Sequence, residues 1–178
     1  MVWIGLDHRP ESPCPEERLC AAVFFSPASW YLDLAAGIAA ALGIVLLWEL
    51  ARRSIRVAGD LEDQLQSLLG DLRRDEAAAI ALLSGFSEEL FFRGALQGSV
   101  GWPLATLLFA LLHTGPGRAL RFWSVFALVA GLTFAGLLLW RGNLLAPITA
   151  HVLVNAVGLW RMAGRSRRSG SSAAKEGE

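Results

Sequence analysis

The sequence predicts an all-α fold: a polytopic transmembrane helical bundle of about five spans, with an amphipathic connector helix between spans 1 and 2. Three observations lead there. Apolar residues make up 54% of the 178 and are gathered into long blocks, with a mean hydropathy of +0.45 and only 18% charged, above the usual share for soluble domains. Most of those blocks approach the roughly 20 residues that a spanning helix needs. The basic residues fall almost entirely on one side of the blocks, which is the asymmetry that sets membrane topology.

Trp30 to Leu50 forms the first span, with Asp33 near one end. Trp30, Tyr31 and Trp48 mark its edges, where amphipathic rings sit at headgroup level. Arg52, Arg53 and Arg56 follow. Leu61, Leu65, Leu68, Leu69 and Leu72 then recur at helical spacing, so this connector is expected as an amphipathic helix lying on the membrane surface or docked on the bundle. The second span covers Ala77 to Leu96. A third, short for a crossing, begins near Val100 or Trp102 and reaches His113, where Thr114-Gly115-Pro116-Gly117 breaks it. Phe122 to Trp140 is the fourth span, Arg141-Gly142-Asn143 a tight turn, and Leu144 to Trp160 the fifth. No internal repeat is visible. The expected division is an extracytoplasmic segment at 1–29, the first span with its cytoplasmic connector at 30–76, a four-helix core at 77–162, and a polar, disordered cytoplasmic tail at 163–178.

Sixteen basic residues balance sixteen acidic ones, which points away from a nucleic-acid partner. Their placement is informative. With five spans, twelve of the basic residues share the side of the connector, the 114–121 loop and the tail, against Arg9, Arg18 and Arg141 opposite. The positive-inside rule then puts the N-terminus outside and the tail in the cytoplasm. Cys14 and Cys20 are too few for a disulfide framework and lack partners at zinc spacing. Residues 1–20 show no basic region followed by an apolar one, so no cleaved leader is expected.

The chemistry concentrates at Ser84–Leu96, where Glu88, Glu89 and Arg93 interrupt an apolar run. Charges inside a bilayer cost several kcal/mol and therefore pair, line a cavity or do chemistry. Glu89 and Arg93 are four apart with the acid first, the favourable order for an ion pair on one helix face. Glu88 is rotated from Glu89 by about 100° and is free to face a cavity. His113 ends the third span, four residues after Phe109, and His151 and Asn155 share one face of the fifth. A carboxylate can take a proton from water and an imidazole can assist. A second imidazole and a carboxamide can donate to a developing oxyanion. Those are the parts for hydrolysing an amide. His and carboxylate are also zinc ligands, so Glu88, His113 and His151 are candidate ligands of a divalent metal such as zinc, although no His-Glu-x-x-His helix is present.

Glu88-Glu89-x-x-x-Arg93, then Phe109-x-x-x-His113, then His151-x-x-x-Asn155, in that order on successive apolar segments, resemble the CAAX-processing and bacteriocin-processing (CPBP) intramembrane proteases. The resemblance covers about residues 77–160. It implies an endopeptidase that hydrolyses a peptide bond in or near the membrane, with Glu88 as the base activating water and His113 assisting. By the same resemblance His151 and Asn155 stabilise the oxyanion, and Glu89, Arg93 and Phe109 support the site. The family is labelled as metalloproteases, and the residues leave the metallo and glutamate mechanisms both open. The implied partners are membrane lipids and a peptide or protein substrate, lipidated in the CAAX case. The implied location is the plasma membrane of a prokaryotic cell. Two other classes compete: a non-catalytic immunity or scaffold protein on the same fold, and a proton-coupled carrier, whose pointer of interrupted helices in two matching halves is not found. One expectation runs against simple helix lengths. His113 falls at the cytoplasmic end of its span while Glu88 and His151 lie roughly 17 Å above theirs, yet His113 is expected to reach Glu88.

Overall fold

The computed structural model describes residues 29–175, with side chains through Ala163; residues 1–28, including Cys14 and Cys20, and residues 176–178 lie outside the described residues. Six helices follow one another among those residues, with no strand. They are α1 (Trp30–Ser54), α2 (Arg56–Leu69), α3, α4 (Trp102–Leu112), α5 (Arg118–Arg141) and α6 (Leu145–Lys175). Helix α3 is composite: α-helical over Arg74–Glu89, π-helical over Leu90–Leu96, and α-helical again over Gln97–Val100.

Two helices, α1 and α5, are long and apolar enough to cross a bilayer, and α4 is a shorter apolar helix. By length and composition, five such spans are not confirmed among the described residues. Helix α3 changes its winding at the acidic pair, α4 has only 11 residues, and α6 runs on from its apolar half into the Arg- and Ser-rich stretch. Helix α6 runs to Lys175, through the stretch expected as a polar tail. No proline interrupts that segment, and its Arg, Ala and Lys residues are good helix formers.

The bundle is packed with small residues inside and leucines outside. Ala41, Ala81, Ala105, Ala127, Ala130, Ala146 and Ala150 are buried, whereas Leu42, Leu83, Leu111, Leu112 and Leu139 are exposed. Helices that meet in lipid gain little from burying leucine and associate instead by close van der Waals contact at small residues. Helix α6 packs most extensively, against α1 and α3. At the α3–α6 crossing a Cβ on Gly85 would lie 2.8 Å from Val152 Cγ2 and 2.9 Å from its backbone nitrogen, so only glycine allows the approach. Phe92, Phe109 and Phe134 fill the centre with Ile44 and Leu137.

Polar contacts mark the two ends. At one, Asp33 of α1 is fully buried and accepts from Arg141 and, at 3.0 Å, from Asn143 Nδ2. Asn143 Oδ1 in turn accepts from the Leu145 amide at the start of α6. At the other, Glu49 accepts from Arg52, Arg53 and Arg161, joining the C-terminal end of α1 to the middle of α6. Helix α2 docks there on the bundle, with Leu61 packed on Ala119 and Leu120 and Glu62 accepting from the Trp48 indole at 3.0 Å. Leu72, expected on the same helical stripe, lies beyond the end of α2 and packs on Ala77 and Ala163.

The depth of His113 now has a simple account. From Glu88 to Val100, α3 advances about 18 Å, and α4 returns about 17 Å from Trp102 to His113. The short helix is displaced toward the far end of the bundle, so its C-terminus stops level with Glu88. Gly85→Ala is expected to cost about 1–3 kcal/mol by forcing α3 from α6. Gly43→Ala, whose added methyl meets nothing within 4 Å, should be neutral or stabilising. Denaturation of the two variants in detergent micelles checks the pair.

Candidate active site

Glu88 and Glu89 close the α-helical part of α3, and the π-helical stretch begins at the next residue. Such wide turns recur at functional sites because they re-aim side chains within one helix. Glu89 is fully buried and Arg93 is 3% exposed. Arg93 Nη1 donates to Glu89 Oε1 at 3.0 Å, as the four-residue spacing predicts. The same oxygen accepts from His151 Nδ1 at 2.7 Å, a contact the spacing does not reveal. Arg93 Nη2 donates to the Gly131 carbonyl at 3.1 Å, and its Cζ lies 4.4 Å from the Phe109 ring centroid and 5.4 Å from that of Phe134. A buried guanidinium is tolerable only when paired and hydrogen-bonded in this way. Gly131 makes room for these groups, because a Cβ there would meet Phe109 Cδ1 at 3.0 Å and Arg93 Nη2 at 3.2 Å and press both outward.

Glu88 points elsewhere, as its rotation about the helix requires. Its Oε2 lies 3.7 Å from His113 Nε2 and 4.0 Å from His151 Nε2. His113 therefore does reach Glu88. The other nitrogen of each ring is engaged: His113 Nδ1 is 2.7 Å from the Phe109 carbonyl oxygen, and His151 Nδ1 is on Glu89. A carbonyl can only accept, so His113 Nδ1 carries the hydrogen, and the Glu89 carboxylate holds His151 the same way. In the neutral rings both Nε2 lone pairs then face Glu88. Phe134 stacks on His151 with centroids 4.8 Å apart. Trp123 lies perpendicular to His113 with centroids 5.2 Å apart, and Phe109 packs on His113 at 4.5 Å. These aromatic walls hold the two imidazoles in place.

Three of the expected residues, Glu88, His113 and Asn155, line one cavity of about 450 Å³ together with Ser84. Trp48, Leu61, Leu65, Trp123 and Phe126 supply apolar wall. His151, 4% exposed, is buried beside Glu88. Asn155 Nδ2 donates to Ser84 Oγ at 3.0 Å. Ser84, Trp123, Gly131 and Phe134 were not apparent as site residues from sequence. Ser84 alone carried a signal, four residues before Glu88 and so on the same helix face. The three candidate metal ligands approach one another only around Glu88 Oε2. Among the described residues no group of three His, Cys, Asp or Glu side chains is arranged to hold a metal ion.

Glu89→Gln removes the charge that both Arg93 and His151 contact, and it is expected to destabilise the fold by about 3–5 kcal/mol. Glu88→Gln, at the cavity wall, should change stability by less than about 1 kcal/mol. Chemical denaturation in micelles followed by tryptophan fluorescence measures both.

Residues 76–157 match the family of type II CAAX prenyl endopeptidases described as Rce1-like. The matched segment takes in every candidate site residue. The chain is also 44% identical over 80 residues to an uncharacterized protein, YpbD, of Bacillus subtilis (strain 168). Those residues are 44% of this chain and 41% of that relative, so the likeness is one of a shared segment. No solved structure gives a significant match. The segment with the Glu89–Arg93–His151 network and the Glu88 cavity is thus the part of the chain that is similar to the Rce1-like family.

Proposed function

We propose that this protein is an intramembrane endopeptidase in which Glu88, assisted by His113, activates water for attack on a peptide bond. The carrying observation is the approach of Glu88 Oε2 to two imidazole Nε2 atoms at the wall of a cavity inside an apolar bundle. Separations of 3.7 and 4.0 Å are too long for direct hydrogen bonds, and a water can bridge such groups. As the water oxygen bonds to the carbonyl carbon, its proton passes to Glu88. The resulting oxyanion is met by Asn155, which has a second N–H besides the one given to Ser84. His151 Nε2 becomes a further donor when the ring takes up a proton from solvent before substrate enters, with Nδ1 anchored on Glu89. When the C–N bond breaks, Glu88 returns the proton to the leaving amine.

The apolar wall suits a substrate segment that is itself apolar or lipid-modified, in keeping with the CAAX class. The twelve basic residues on one side support a multi-pass topology with the N-terminus outside and the cavity open to the cytoplasmic side. Each step of this glutamate mechanism uses side chains of the protein itself.

Comparison of membrane-protein fragments from cells carrying wild type or Glu88→Gln tests the reading. At least one fragment should disappear in the variant, and an unchanged set would overturn the assignment. On a peptide spanning the cleavage site so identified, Asn155→Ala should lower kcat by about 10²-fold. The purified enzyme should keep its rate in EDTA. A loss restored by zinc would replace the glutamate mechanism with a metal-assisted one.

A further inference from the structure

We infer that Ser84 is a positioning residue for Asn155: its hydroxyl fixes the carboxamide so that the free N–H points to where the peptide oxyanion develops. This rests on the peptidase reading above. The hydrogen bond from Asn155 Nδ2 to Ser84 Oγ is 3.0 Å, and both side chains line the cavity that holds Glu88 and His113. The terminal torsion of an asparagine is broad and poorly held by its own sterics, so a single partner decides which way the amide plane faces. An asparagine has two N–H donors. Binding one to Ser84 sets the direction of the other.

The local fold explains why a serine stands at this point. Gly85, the next residue, lets α3 come into backbone contact with Val152 of α6. Asn155 lies three residues beyond Val152, about one helical turn, so the close crossing brings a side chain as short as serine within reach of it. Ser84 is also one turn before Glu88 on the same face of α3. One helix face therefore carries both the proposed base and the group that orients the proposed oxyanion donor. Neither Ser84 nor Asn155 joins the buried charge network, so the pair can be altered without stranding Arg93 or Glu89.

Steady-state kinetics on the Glu88-dependent peptide test the role, using Ser84→Ala, Ser84→Cys, Ser84→Thr, Asn155→Ala and the Ser84→Ala/Asn155→Ala double variant. Ser84→Ala and Ser84→Cys should lower kcat about 5- to 10-fold, the worth of one hydrogen bond, with KM and the melting temperature held. Ser84→Thr, which keeps the hydroxyl, should recover most of the rate. In the Asn155→Ala background, Ser84→Ala should cause no further loss, because the two act as one unit. Full activity in Ser84→Ala, a fall confined to KM, or losses that multiply in the double variant would each overturn the inference. If Glu88→Gln cleaves as wild type does, the peptidase reading fails and this inference with it. An inactive Glu88→Gln beside an unimpaired Ser84→Ala removes only the role of Ser84.

Discussion

A guanidinium taken out of water sets the terms for this bundle. Arg93 sits among Phe92, Phe109 and Phe134, where a lone cation would be untenable. Glu89 neutralises it, and Gly131 supplies a carbonyl. Because Glu89 also holds His151, one carboxylate ties α3 to α6 while Arg93 ties α3 to α5. The network is both a fastening between helices and the means by which an imidazole is turned toward Glu88. Stability and the geometry of the candidate site are consequently coupled through Glu89.

Small residues make that coupling sterically feasible. Gly131 leaves room for Arg93 and Phe109 in the same space, and Gly85 brings α3 onto α6. The leucines displaced from such crossings are outside, on a surface suited to lipid. Helix α2 then closes one side of the cavity with Leu61 and Leu65, while Trp48 and Glu62 pin it to α1. The polar side chains of the cavity come from α3, from His113 at the end of α4 and from α6, and α3 and α6 add apolar wall through Ile80, Val154 and Val157.

Much of the candidate site was readable from spacing. Adjacent glutamates on a helix must diverge, so one could pair with Arg93 and the other face a cavity. Residues four apart share a face, which groups Phe109 with His113 and His151 with Asn155. Contacts between helices carry no such periodic signal. Nothing in the local sequence around Gly131 or Phe134 says that one will accept from Arg93 and the other stack on His151. The length of α4 was legible, but its displacement along the bundle was not, because that depends on how far α3 runs before the chain turns. The site of each element in depth is a property of its neighbours.

The sequence by itself determined an all-helical chain with apolar spans, an amphipathic connector, and acid, base and amide groups at set positions within them. Local periodicity and the cost of charge in an apolar run suffice for that. Only the tertiary structure decided that His113 and His151 meet at the same oxygen of Glu88, and that Glu89 serves two helices rather than one. It also decided that Ser84 answers Asn155. These are distances between residues far apart in the chain, set by the close crossing of α3 and α6 and by the offset of α4, and no single helix encodes them.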